Sequence, residues 1–286
     1  MGILNRLQEI AFKLSNPQKY TELLNANEIK IGRMEMKVQL EKVDDIEHSA
    51  KIELVEMHTH CLETFVRLFI ARAKDSGCEW LELNRLSIRQ YHQAIDKISN
   101  GEFQWLNDKY VENYIIQYSL TGIYEKEKVQ PEVIENWKEW IIHAARQLSE
   151  NKRYNAFKHG MTLHAATNGI SMKPEGEDTT YEKHGDVIEY IVKKEESDRY
   201  VWNQKSDFIN MDELCIEVYL FGNLINDMVY VGKYVYVDAE TIDNRWYPNE
   251  KMTINEVLYN RETKSMQDVF ELMSSMSMQL LYYVPQ

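Results

Sequence analysis

Apolar residues recur along most of this chain at intervals of three and four, the spacing that gathers them on one side of an α-helix. Ile3, Leu7, Ile10 and Leu14 form the first such set, and Asn16-Pro17 stops it, which predicts a short amphipathic helix in an N-terminal segment, residues 1–30. In the remainder, residues 31–286, the positions Leu40, Val43, Ile46, Ala50, Leu54, Cys61, Leu62, Phe65, Leu68 and Phe69 predict one long helix or two in tandem from about Glu35 to Ala73, closed by Asp75-Ser76-Gly77. Ser87 is placed to cap a helix running to Ile98, and Ser99-Asn100-Gly101 is a turn because Asn and Gly tolerate positive φ. Phe103 to Leu120 predicts a further helix, ended by Thr121-Gly122. Pro131 suits the first turn of a helix whose buried stripe is Ile134, Trp137, Ile141, Ala144, Ala145 and Leu148, with Gly160 as its C-terminal cap.

Beyond Gly160 the period changes. Asn168-Gly169 and Lys173-Pro-Glu-Gly176 are turn-rich, while Val187–Val192 and Arg199–Trp202 alternate as strands around a turn at Glu195–Asp198, predicting a β-hairpin at about 180–210. Asp212 is placed to cap a return to helix with Leu214, Val218, Phe221, Ile225 and Met228 on one face. Tyr234–Val237 fits either helix or strand, and Ser265–Leu280 predicts a last helix. The expected fold is mainly α, with an inserted hairpin.

Composition narrows the classes. With 44% hydrophobic and 28% charged residues, and only 11 Gly and 5 Pro, the 286-residue chain is expected to fold as a globular protein. Cys61, Cys78 and Cys215 are too few and too scattered for a disulfide framework or a zinc ribbon, which points to a reducing cytoplasm. No apolar run is read as long enough to cross a bilayer, and no signal peptide is recognised, so no membrane association is expected. A net charge of -13 repels nucleic acid at long range, so an RNA site would have to be a local cationic patch. No glycine-rich phosphate loop, nucleophile elbow or dinucleotide fingerprint occurs, and no cofactor is expected.

The cationic stretch is Arg153-Tyr-Asn-Ala-Phe-Lys-His159-Gly160, preceded by Lys152. A guanidinium and an imidazole together suit a phosphodiester, one as a fixed cation and the other as a proton carrier near neutral pH. On a continuous helix Asn155 and His159 share a face and Asn155 could orient the imidazole, whereas Arg153 lies about 120° around the axis from His159. A two-fold dimer would bring both pairs together. The same cations, Lys152, Arg153, Lys158 and His159, would also complement the negative end of a helix macrodipole.

The spacing of Arg153 and His159 resembles the Arg-x4-6-His motif of the HEPN superfamily, and Tyr154-Asn-Ala-Phe-Lys-His-Gly160 is similar to a string in bacterial HEPN-like proteins that carry a strand hairpin after it. Leu62-Glu-Thr-Phe-Val-Arg-Leu-Phe-Ile70 is similar to the second-helix region of those proteins. The resemblance implies a HEPN-like helical bundle that forms a homodimer and, in many members, cleaves RNA without a metal as a toxin or antiviral defence nuclease, paired with an antitoxin or a defence-system partner. It also implies roles: His159 as acid and base, Arg153 holding the scissile phosphate, and Asn155 supporting both. Tyr154 stands where the family commonly has Asn, Asp or His. The superfamily also contains inactive members, so a catalytically inert interaction or sensor module, binding a protein or a small anionic ligand, is the alternative.

Two further sets have readings of their own. Glu56, His60, Glu63 and Arg67 step along one helix face, either as a solvated stripe or with Glu63 and Arg67 turned inward to support the Arg153/His159 cluster. His58-Thr-His60-Cys61 invites a metal reading, but residues two apart on a helix diverge by about 200°, and no metal is expected. His143, Arg146, Glu150 and Arg153 line up at spacings of three, four and three, so a structural place for Arg153 in a surface ion ladder with Glu150 is the alternative to a catalytic one.

Overall fold

The computed structural model describes residues 2–20, 30–31, 34–35, 43–122, 129–150, 164–172, 181–196, 199–237, 247–259 and 280–282. The chain is mainly helical with an antiparallel sheet. It divides into two compact units: Met1–Met57, Lys152–Cys215 and Glu262–Gln286 form one, and His58–Asn151 with Ile216–Arg261 the other.

The first unit holds α1 (Ile3–Ser15), the short strands β1 (Lys30–Ile31) and β2 (Met34–Glu35), the start of α2 (Val43–Ala73), and the sheet. Helix α1 buries Leu7 and Ile10, and Lys13 reaches Glu53 of α2 at 3.2 Å. Glu35 faces Lys30 across the β1–β2 pair, so the helix expected from Glu35 instead begins at Val43. The sheet contains β3 (His164–Met172), β4 (Tyr181–Glu196), β5 (Arg199–Ile209) and β6 (Leu280–Tyr282), in that order and antiparallel throughout. The expected hairpin is β4–β5, in register from Glu196 opposite Arg199 to Asp186 opposite Ile209.

Two sequence readings are corrected in this sheet. Asn168-Gly169 lies inside β3, where Asn168 pairs with Gly185 and Gly169 with His184, because a long neighbouring strand supplies ladder partners that outweigh weak local preference. Leu280 opens β6 opposite Gln204, while the rest of the helix expected over Ser265–Leu280 lies outside the described residues. Val187, Ile188 and Phe208 are buried, and the hydroxyl of Tyr190 donates to buried Asp207 at 2.9 Å. Lys51 of α2, itself buried, is held by Glu47 and by Asp186 of β4, each at 2.6 Å.

The second unit contains the rest of α2, then α3 (Glu79–Arg85), α4 (Ile88–Ser99), α5 (Glu112–Thr121), α6 (Pro131–Glu150), α7 (Met211–Val237) from Ile216 onward, and α8 (Ile254–Leu258). Ser87 caps α4 with a reciprocal box to Gln90, as its sequence suggests. The helix expected over Phe103–Leu120 is broken into a single 3-10 turn, Gln104–Leu106, and α5. Polar side chains take the backbone groups between them: Gln104 donates to the carbonyls of Asn107 and Tyr110, and Asn107 donates to that of Ala73. Asp212 does not cap α7, since Asn210 accepts from the amides of Asp212 and Glu213. Tyr234–Val237 continue α7 as helix.

Aromatic rings fill this core. Phe221 of α7 lies 5.0 Å from Phe65 of α2 and 5.8 Å from Trp140 of α6, edge to face with the latter. Trp137 and Trp140 are both buried, and their indole nitrogens donate to the carbonyls of Pro248 and Met252, which fastens the chain leading into α8.

Candidate functional site

Lys152, Arg153, Asn155, Lys158 and His159 lie outside the described residues, as does Gly160. What is described is the helix that leads to them. Its second half is held at two points: the Nε2 of His143 meets Glu217, and the Nε of Arg146 donates to the carbonyl of Ser99 at the end of α4, 3.0 Å away. His143 and Arg146 therefore serve tertiary contacts, while Arg153, the residue for which a surface ladder with Glu150 is the alternative, lies outside the described residues.

Glu63 and Arg67 form the ion pair that a four-residue step allows, Nε to Oε1 at 2.9 Å. The guanidinium carbon of Arg67 also lies 4.0 Å from the ring centre of Tyr91 on α4, a cation–π contact across two helices. Glu56 and His60 are exposed, so this stripe faces solvent at its N-terminal end and packs at its C-terminal end.

The most concentrated chemistry in the second unit is one the sequence reading did not single out. Glu217 of α7 is buried, and its two carboxylate oxygens take one imidazole each: Oε2 lies 2.5 Å from Nε2 of His58 on α2, and Oε1 lies 2.9 Å from Nε2 of His143 on α6. A carboxylate only accepts, so each Nε2 carries the proton and donates. Burial acts to raise the Glu217 carboxyl, but adjacent His58, with hydrogen bonds from both imidazoles, outweighs it and holds the group at about 2. The ring of His143 meets Trp140 edge to face at 5.9 Å. One turn along α2 from His58, Cys61 points to the Val218 carbonyl, and burial together with the Glu217 charge pushes its thiol up to about 12. That thiol is far too weak an acid to act as a nucleophile near neutrality.

The signal for this cluster was present in the chain. Glu217 sits on the apolar stripe between Leu214 and Phe221, where a charge is costly unless paired, and His58 and His143 each occupy positions among buried neighbours. Naming its partners required knowing which helices meet. The same holds for Arg72, buried near the end of α2, which pairs with Glu79 at 2.9 Å and donates to the carbonyls of Ser119, Leu120 and Met228. It joins the start of α3, the end of α5 and the interior of α7 around one guanidinium.

The expectation about membrane-length runs is revised by the described residues. Met211–Gly232 is long and apolar enough to cross a membrane by length and composition, at a mean hydropathy of 1.3, contrary to the reading that no run reaches that length. About half of that segment is buried within the protein, and it carries the doubly paired Glu217. Among the described residues, no group of three or more His, Cys, Asp or Glu is disposed to hold a metal ion. Comparison of the chain with protein-family models, with curated proteins and with solved structures finds no match.

Proposed function

We propose that this protein is a HEPN-type ribonuclease, a toxin or defence nuclease that cleaves RNA without a metal ion as a homodimer. The observation that carries the reading is the string Arg153-Tyr-Asn-Ala-Phe-Lys-His159-Gly160, which begins three residues after Glu150, the last residue of the long amphipathic helix α6, in a mainly helical chain.

In this reading His159 takes the proton from a ribose 2′-hydroxyl as its oxygen bonds to the adjacent phosphorus. The P–O5′ bond breaks, the leaving oxygen receives a proton from the second imidazole of the dimer, and a 2′,3′-cyclic phosphate remains. Arg153 balances charge on the phosphorane-like transition state, and Asn155 and Lys158 orient the imidazole and the strand. Glu63 and Arg67 are assigned a supporting part, and an antitoxin or defence-system partner would cover the site when it is silent.

The test is cleavage of labelled single-stranded RNA by the purified full chain in EDTA. Cleavage leaving cyclic-phosphate ends, abolished by Arg153→Ala and by His159→Ala, is the expected result. Cleavage that survives both substitutions, or none under any condition, overturns the nuclease. A second reading, an inert module that binds a protein or a small anionic ligand through the same segment, is favoured by the net charge of -13 and by Tyr154 directly after Arg153. Under it the two alanine variants leave RNA untouched but weaken binding of that partner.

A further inference from the structure

Between Ile216 and Tyr230, a stretch that lies within the second unit, α7 buries all but a narrow strip of itself. The exposed positions are Ile216, Tyr219, Asn226 and Tyr230, with Asn223 half-buried between them. They step by three, four, three and four residues, the spacing of the seam in a two-helix coiled coil. Ile216 is 40%, Tyr219 57% and Tyr230 61% exposed, while Val218, Phe221, Leu224, Ile225 and Met228 on the other faces are buried. Every other described helix longer than ten residues carries a charge at an exposed position: Arg6 on α1, Glu56 on α2, Arg89 on α4 and Glu135 on α6. The exposed positions of α7 between Ile216 and Tyr230 carry none.

The strip is also a palindrome. Tyr219, Asn223, Asn226 and Tyr230 read the same from either end, in residue type and in their spacing of four, three and four. Laid antiparallel on a copy of itself across a two-fold axis, it sets Tyr219 against Tyr230 of the second copy and Asn223 against Asn226, each contact made twice. Asn223 donates to the carbonyl of Tyr219 at 2.8 Å, which holds its amide at the middle of the strip. Paired amides across the axis satisfy one another's donors and acceptors, which an apolar partner helix would not do. The antiparallel arrangement also sets the two helix dipoles head to tail. Asp227, beside the strip, falls opposite Gly222 of the second copy and away from its own counterpart.

We propose that this strip of α7 is the docking surface for a second copy of the chain, packed antiparallel as the interface of a homodimer. Each copy carries a net charge of -13, so two copies repel at range and close most readily on a face without charge. Covering the exposed parts of Ile216, Tyr219 and Tyr230 removes roughly 300 Å² of side-chain surface per copy. That is the apolar centre of a contact whose standard size is about 800 Å² per partner, and its modest extent makes the dimer reversible. The homodimer belongs to the nuclease reading above, on which this inference rests for what the dimer does. The face itself is argued from α7 alone.

The test is sedimentation velocity of the purified full chain over a concentration series. A reversible dimer is expected, tightened by added salt, which screens the repulsion between two acidic copies. Tyr219→Glu, at an exposed position, should weaken it at least about tenfold and leave the helical circular dichroism unchanged. Asn226→Asp should weaken it too. Asn223→Lys combined with Asn226→Asp in one chain should restore it, because antiparallel pairing sets the two new charges against each other with opposite sign, whereas a parallel pair would set like against like. A monomer at every concentration, a dimer indifferent to Tyr219→Glu, or a double variant weaker than Asn226→Asp overturns the proposal. So does a monomer that binds phosphatidylcholine vesicles and is released by Tyr219→Glu, which would make the strip a membrane-facing surface. RNA cleavage is scored separately on the same samples. A dimer through α7 that cleaves nothing ends the nuclease and keeps this face, and cleavage by a dimer indifferent to Tyr219→Glu does the reverse.

Discussion

The carboxylate of Glu217 lies 2.5 Å from the Nε2 of His58, two buried side chains that stand 159 residues apart in sequence. With His143 on the other oxygen, this contact ties α2, α6 and α7 together inside the second unit. Removing one partner of a buried pair leaves the others charged or polar and unsatisfied, so Glu217→Gln is expected to lower stability by about 3 kcal/mol. A fall in the urea midpoint at pH 7 without loss of helical circular dichroism in the absence of urea is the reading that checks it.

The same group dictates a pH dependence. Its carboxyl titrates at about 2 in the folded chain against an ordinary 4.5, so the native state favours the charged form. The contribution is therefore complete above pH 4.5 and disappears as pH falls toward 2, a loss on the order of 3 kcal/mol. Urea midpoints measured at pH 6, 4 and 3 should fall more steeply for the unaltered chain than for Glu217→Gln. Parallel curves would assign the acid sensitivity to other carboxylates.

Gly122 ends α5 at φ 63, and a Cβ there would lie 2.1 Å from Cγ1 of Val231 on α7. Both the left-handed backbone and the overlap oppose a side chain, so Gly122→Ala should cost about 2 kcal/mol or more. Val231→Ala removes the overlapping methyl but not the backbone strain. In a double-mutant cycle the pair should couple favourably, recovering part of the loss.

The three cysteines should differ in alkylation. Cys78 is exposed, Cys215 is partly covered, and Cys61 is buried with its thiol raised to about 12. With iodoacetamide at pH 8, mass spectrometry should find Cys78 labelled first, Cys215 more slowly, and Cys61 only after unfolding. Early labelling of Cys61 would mean that α2 and α7 open readily where Cys61 faces Val218.

Ser87→Ala should cost about 1 kcal/mol, because Ser87 and Gln90 exchange hydrogen bonds at the start of α4. Thermal melts of Ser87→Ala and Ser87→Asn separate the two effects, since Asn restores a cap and should recover most of the stability.

Local chemistry was enough to read the periodic parts of the chain. The stripe of α6, the Ser87 cap, the stop at Asn16-Pro17 and the β4–β5 hairpin are each specified by residues within a few positions of one another, and there the sequence reading and the structure agree. Where neighbours distant in the chain supply a stronger partner, the local reading gave way. Asn168-Gly169 became strand because β4 offered a ladder, Glu35 paired with Lys30, and the stretch after Phe103 broke because Gln104 and Asn107 capture backbone carbonyls.

For the candidate chemistry the division runs the same way. Amino-acid order alone brings Arg153, Asn155 and His159 into one short string, since their relation is local. Only the tertiary structure joined Glu217 to His58 and His143, Arg72 to the carbonyls of α5 and α7, and Asp75 to Tyr110 and Tyr118. Each of those is a charge whose burial or strained position is tolerable because folding delivers a partner from far along the chain, and no periodicity records which partner that is.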